Sequence, residues 1–390
     1  MTLRFLTSGE SHGPALVAIL EGLPAGLALT GEMIDHDLAR RQQGVGAGAR
    51  MKIEHDQVRI LGGVMAGVTT GAPLALLIEN KDHTRWRNIA VAPMTIPRPG
   101  HSDLTGAVKY GYRDLRPALE RASARETAAR VAVGAACRIL LAQFGIVVGG
   151  YVSSIGEIAA NLHELALAER MTQAQASDVN CPQPAAADAM RSRIRQAMKE
   201  GETLGGVIEV AALGLPPGLG AYAQWDRRLE ARLGAAVLSI PAIKGVEIGP
   251  AFENTRLPGT QVQDAIEVQD GVITRPSYRS GGLEAGITTG QPLLVRAAMK
   301  PIATTIASQR TVNLASGEAS PTKYERSDFC PVPRAVVVVE AMVAFVLAAA
   351  LLEKLGGDSL AEMAPRFAAL RGMRLADLPM DNTEHTWWPE

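Results

Sequence analysis

One segment of this chain is written twice. Gly62-Gly63-Val64-Met65-Ala66-Gly67-Val68-Thr69-Thr70-Gly71-Ala72-Pro73-Leu74 recurs as Gly281-Gly282-Leu283-Glu284-Ala285-Gly286-Ile287-Thr288-Thr289-Gly290-Gln291-Pro292-Leu293. A shorter echo pairs Leu23-Pro24-Ala25-Gly26-Leu27 with Leu215-Pro216-Pro217-Gly218-Leu219. Glycines at the same offsets ask for the same turns, and the longer match exceeds what chance recurrence of a turn-then-strand pattern would give. The expectation is one unit over residues 1–390. It is built of two similarly folded halves, approximately 1–200 and 201–375, with 376–390 as a loose polar tail. A site between the halves follows naturally.

The second constraint is an apolar run at residues 335–352, AVVVVEAMVAFVLAAALL. Its length suits a bilayer, but Glu340 interrupts it and no anchoring residues flank it, so a buried core helix is expected. Hydrophobic residues are 47% of the 390, and charged residues only 20%, which is ample for a core. A net charge of −1 argues against a general nucleic-acid binder, and aromatics at 4% leave few stacking platforms. Cys137, Cys181 and Cys330 form no CxxC pair, which fits a reducing compartment rather than a disulfide scaffold or a zinc site. The opening MTLRFLTSGESHG lacks the apolar core of a signal peptide. A cytoplasmic protein without a metal or a membrane span is expected.

The chemistry concentrates in residues 98–145. His101 follows a Pro-Gly turn; Lys109, Arg113, Arg116, Arg121 and Arg125 come next; then Ser123-x-x-Glu126 opens an Ala-rich run that stops at Gly145. Ser with Glu three residues on reads as a capping box, and Gly145 suits the left-handed residue after a last turn. Free N–H groups and the positive dipole end at such a helix start suit a phosphate. Arg121 and Arg125 would share a face if the helix ran through both. The run's apolar composition predicts burial, and arginine at a buried helix start needs an anion to meet.

Elsewhere, residues 3–6, 15–20, 58–61, 73–79, 146–153 and 205–212 read as strands. Thr30 is expected to cap a helix ending near Gly44, and residues 225–232 to open another ending near Ile240. A charged helix is expected near 185–200. The glycine-rich stretch 44–51 either wraps a phosphate or is a solvent loop; it matches neither Walker A nor the dinucleotide fingerprint. Ser11-His12 lies in a glycine-flanked turn, residues 80–86 read as a surface loop, and Asp328 is placed to cap the long apolar helix.

GESHG, ARRQ, RPGHSDL, KYG, ERASARETAARVAVGA, WDRRLEARL, the repeated GG segment, KPIATT and ERSD occur in one order and spacing. In these motifs, essentially end to end, the chain resembles the chorismate synthases. The resemblance implies an α+β fold: a layered β-α-β sandwich with antiparallel sheets around a helical core. It also implies cytoplasmic homotetramers. The implied reaction is elimination of phosphate from 5-enolpyruvylshikimate 3-phosphate to give chorismate, with reduced FMN and no net redox change.

By that resemblance Arg41, Arg50, Arg98, Arg125 and Arg326 bind substrate. Ser123, Ala124, Arg125, Ala242, Ala285, Lys300, Pro301, Ile302, Ala303, Thr304 and Arg326 touch FMN. His12, supported by Ser11, is the acid at the departing phosphate. His101 neutralises the reduced flavin near N1, and Asp328 relays the proton at N5. Histidine suits such tasks because its pKa lies near working pH.

The chain departs from the family pattern at Ala47 (for arginine), Ala122 (for serine), Pro241 (for an amide residue), Ala285 (for glycine) and Ala303 (for proline). With the acid–base residues present, an active enzyme with weaker binding is expected. NADPH enters only as a source of reduction, and supply of reduced flavin from outside is favoured. The alternatives are a catalytically weak FMN- or phosphate-binding protein of the same fold and, less compatible with the charge, an RNA binder.

Overall fold

Strands with one apolar face must bury it, and here two antiparallel sheets bury theirs on a shared layer of helices. The computed structural model describes residues 2–47, 55–325 and 327–388. The first sheet runs Arg4–Ser8, Ala15–Glu21, Leu74–Glu79, Val58–Gly62; the second runs Ile243–Ile248, Leu293–Met299, Gly206–Leu213, Val147–Ile155, Ile158–Ala159. All pairings are antiparallel. The Ala15–Glu21 strand alternates in burial. Leu16, Ala18 and Leu20 face the core, while Ile19 lies 44% exposed on the outer face.

Between the sheets lie Gly31–Gln42, Thr127–Ala142, Leu229–Leu238 and Val332–Leu355. The last is long and apolar enough to cross a membrane by length and composition, but it is a core helix, buried on all sides. Its one acid, Glu340, accepts from Arg40 Nη1 and Nη2 at 2.7 and 2.9 Å and from the Gly150 amide at 2.7 Å, so the buried charge is fully paired. Gly134 marks where Thr127–Ala142 crosses Val332–Leu355: a Cβ there would lie 2.2 Å from the Ala341 Cβ.

The written-twice segment folds alike at both positions. Each copy forms a short hairpin, Val64–Met65 with Val68–Thr69 and Leu283–Glu284 with Ile287–Thr288. Ala66 (φ 49°) and Ala285 (φ 52°) occupy the same left-handed turn position. Thr69 Oγ1 donates to the Pro24 carbonyl at 2.6 Å, and Thr288 Oγ1 to the Pro216 carbonyl at 2.7 Å. The short echo is thus the partner of the long one in each case.

Three local readings need correction. The box at Ser123 does not form. Ser123 caps only a single 3-10 turn, Ala124–Glu126, and Glu126 is drawn instead to Thr7 Oγ1 at 2.6 Å and to Arg130. Arg121 and Arg125 do not share a helix, because Arg116–Arg121 ends before Ser123; Arg121 reaches the Thr7 carbonyl. Asp328 does not cap the long helix, whose first turn has no side-chain cap; it pairs with Arg334.

Candidate active site

The loop between the first two strands carries Ser11 and His12, and the Arg116–Arg121 helix meets it with Glu120. His12 Nδ1 lies 2.8 Å from Glu120 Oε1 and its backbone N–H donates to Glu120 Oε2 at 2.8 Å, while Ser11 Oγ is 3.0 Å from the same ring nitrogen. Trp86 packs on the imidazole with ring centres 4.6 Å apart. The stretch expected as surface loop, residues 80–86, is therefore partly interior, and Asn80 is buried. Asn80 accepts from Arg125 Nε at 2.7 Å and donates to the Gly13 carbonyl at 2.8 Å, tying the histidine loop to the arginine.

Arg125 and Arg41 both find their anion within the chain. Asp56 accepts from Arg125 Nη1 at 2.6 Å and lies 3.4 Å from Arg41 Nη1. Arg41 Nη2 also donates to the Ala124 carbonyl at 2.9 Å, beside Ser123. Two buried guanidiniums share this carboxylate. Arg334 lies near them: burial, then the charge of Arg41, pulls its guanidinium down to about 9. Arg334 is the pairing partner of Asp328.

His101 stands in a second cluster. Gly100, at φ 77°, makes the turn, and His101 Nδ1 lies 2.6 Å from Asp103 Oδ1. Arg98 donates to Asp103 through Nε at 2.8 Å and Nη2 at 2.9 Å, and to Thr304 Oγ1 through Nη1 at 3.0 Å. Burial pushes the Asp103 carboxyl up, but the hydrogen bonds and charges of His101 and Arg98 prevail and hold it well below the carboxylate range. An ionised Asp103 requires Nδ1 of His101 to carry the proton. Lys300 Nζ donates to the Gly100 carbonyl at 2.9 Å and its backbone N–H to the Ala242 carbonyl at 3.0 Å. The rest of that loop is fixed from below: Thr203 donates to the Ile302 carbonyl and Gln309 to the Ala303 carbonyl, while Pro301 is exposed.

These clusters adjoin one another. Ser102, next to His101, donates to the Ala118 carbonyl at 3.4 Å on the helix that carries Glu120. Ser327, next to Asp328, donates to the Thr304 carbonyl at 2.9 Å, and Thr304 accepts from Arg98. Hydrogen bonds lead from the His12 loop through Asn80, Arg125 and Asp56 to Arg41, whose charge is felt at Arg334, the partner of Asp328. Ala285 stands apart. It sits beside the start of Leu229–Leu238, where the Leu229 amide donates to the Gly286 carbonyl, whereas Ala242 follows that helix's end. Arg50 and Arg326 lie outside the described residues. A recess of about 220 Å³ lined by Met33, His36, Arg138 and Ile146 holds none of the expected site residues.

Asp56, Asn80, Asp103, Glu120 and Arg334 were not expected as site residues. Only Asp103 and Glu120 left a trace, as unremarked members of RPGHSDL and ERASARE.

The donor set, with three buried arginines, a lysine and two carboxylate-held histidines, suits anionic ligands. Fold and donor set together define an α+β protein suited to small anionic ligands. The family model for chorismate synthase matches residues 3–352. The chain is 52% identical over 379 residues to the chorismate synthase of Trichlorobacter lovleyi, covering 93% of this chain and 96% of that one. It is 50% identical over 387 residues to that of Chlorobaculum tepidum, covering 95% and 98%. A crystal structure of a chorismate synthase superposes with a TM-score of 0.78 at 44% identity, covering 94% of this chain and 97% of that one. The chain belongs to the chorismate synthase family, lyases with a small-molecule substrate and a reduced flavin.

Proposed function

We propose that this chain converts 5-enolpyruvylshikimate 3-phosphate to chorismate and phosphate by a 1,4-elimination, with reduced FMN as its flavin. The observation that carries the reading is the linkage of the His12 loop through Asn80 to Arg125, Asp56 and Arg41, with His101 bonded to Arg98 nearby. The substrate brings two carboxylates and a phosphate, and the flavin another phosphate. That much negative charge in one place needs several guanidiniums to hold it.

When bound, reduced FMN supplies a transient electron and an acceptor for the departing hydrogen. The protein's own residues do the rest. Ser123, Ala124 and Arg125 hold the flavin, with the 300–304 loop and Arg326. Arg41, Arg50, Arg98, Arg125 and Arg326 bind the substrate's acidic groups. His12 gives a proton to the leaving phosphate, because a protonated imidazole both attracts the phosphate and neutralises it as it departs. His101, fixed by Asp103, neutralises the reduced ring, and Asp328 moves the proton at N5.

The reading extends to assembly and setting. Leu6, Ile19 and Leu61 are 66%, 44% and 54% exposed on the outer face of the first sheet, an apolar surface that a homotetramer would cover. Ala285 reaches a flavin only from a neighbouring copy on this reading. The matching turns are read as an internal duplication within one domain. Three free, buried cysteines accord with a cytoplasmic protein, and reduced flavin comes from outside rather than from NADPH oxidation by this chain.

Absorbance titration tests the binding part. FMN should bind weakly alone and more tightly with substrate present, and R125A should abolish the substrate's effect. FMN binding that ignores substrate would favour the second reading, a flavin-binding protein without turnover.

A further inference from the structure

Glu120 opens the ERASARE segment and has no role attached to it, yet its side chain holds His12 at two points. Its Oε1 takes the ring Nδ1 at 2.8 Å and its Oε2 the backbone N–H of the same residue at 2.8 Å. The Ser11 hydroxyl also binds this carboxylate. The neighbouring Ser11 amide donates to the Glu120 carbonyl at 3.2 Å, so one residue pins the loop through both main chain and side chain. Glu120 is largely buried, with its side chain 10% exposed against 21% for His12. Burial pushes its carboxyl up, but the bonds from His12 and Ser11 outweigh that and hold it low. It is therefore an anion at working pH.

We propose that Glu120 is the positioning residue for His12: it fixes the proton on Nδ1 and leaves Nε2 as the nitrogen that exchanges a proton with the leaving group. This rests on the reading of His12 as the acid. The physical logic is that of any carboxylate-oriented histidine. A free imidazole has two tautomers and a rotating ring, and a carboxylate on one nitrogen removes both freedoms. Trp86 closes the ring's flank at 4.6 Å between ring centres. The other charged or titratable neighbours do not compete for Nδ1. His83 spends its own Nδ1 on the His12 carbonyl at 2.9 Å, and Arg116 lies over Trp86 at 5.5 Å from the ring centre. Glu10 approaches Gly13 in the same loop. Asp103 holds His101 in the same manner at 2.6 Å, so each histidine of the site has its own carboxylate.

The test uses the whole enzyme with reduced FMN and substrate, comparing E120Q, E120D, H12A and the double variant H12A/E120Q. Folding of each is checked by thermal unfolding. The expected result is a 10- to 100-fold loss of kcat in E120Q with KM nearly unchanged, part of the roughly 10²–10⁴ that a positioned general acid contributes. E120D should recover activity, and the double variant should be no worse than H12A. Nitrogen NMR of His12 should show Nδ1–H in the native enzyme and a shift toward Nε2–H in E120Q. The proposal is overturned if E120Q costs as much on the H12A background as on the native one, or if the tautomer ignores Glu120. A native rate in H12A would instead remove the acid role of His12 itself, and the catalytic meaning of Glu120 with it.

Discussion

Asp56 and Arg125, separated by much of the first half of the chain, meet at 2.6 Å in the interior, with Arg41 on the far side of the same carboxylate at 3.4 Å. Removing the acid leaves two buried cations facing each other. D56N should lower unfolding free energy by about 3–5 kcal/mol, the range for a broken buried pair. Millimolar phosphate should return part of it, because an anion can take the vacant place. Urea unfolding with and without phosphate reads both; a loss under 1 kcal/mol would show that Asp56 does not balance the arginines.

Asp103 sets an acid limit on stability. Its folded-state carboxyl is held below the ordinary value of about 3.9, so the charged form stabilises the fold. That contribution is complete above the unfolded value and is lost as pH falls through the folded one. The stability difference between the native enzyme and D103N should stay constant from pH 7 to 5 and shrink on acidification below about 4. A difference that grows toward low pH would reverse the sign argued here.

The crossing at Gly134 and Ala341 predicts a tight steric requirement. A methyl at Gly134 would meet the Ala341 Cβ at 2.2 Å and Cα at 2.4 Å. G134A should cost about 1–3 kcal/mol by overpacking, and A341G should recover part of it in the double variant. Thermal unfolding checks both, and a neutral G134A would mean the helices separate freely.

Much of this architecture is legible along the chain. The repeated glycines ask for the same turns, and both copies turn alike, while the interrupted apolar run foretold a core helix rather than a span. What sequence could not supply was partners. Thr304 for Arg98, Asn80 for Arg125 and Glu120 for His12 are all distant in the chain, and no local pattern marks a contact made only by folding. The same cause defeated the capping box. Glu126 had a suitable local partner, but Thr7, brought in by the first strand, offered a part-buried one. Asp328 shows it again, taken by Arg334 rather than by free amides of the long helix.

Ala47, where the family resemblance leads one to expect arginine, stands at the edge of a loop whose Gly46 carbonyl accepts from the Phe329 amide at 2.9 Å. A guanidinium there would stand beside the Asp328 segment. A47R should lower the apparent substrate constant several-fold with little change in kcat, the signature of uniform binding. Steady-state kinetics in saturating reduced FMN measures it; an unchanged constant would show the contact is not needed.

The central claim is that arginines, two histidines and an aspartate drawn from distant segments act together on one phosphorylated substrate beside a reduced flavin. Anaerobic turnover with chemically reduced FMN and 5-enolpyruvylshikimate 3-phosphate tests it most directly. The account predicts stoichiometric chorismate and inorganic phosphate, with loss of both in H12A, H101A and D328A. Flavin binding without any chorismate, from freshly prepared enzyme, would contradict it.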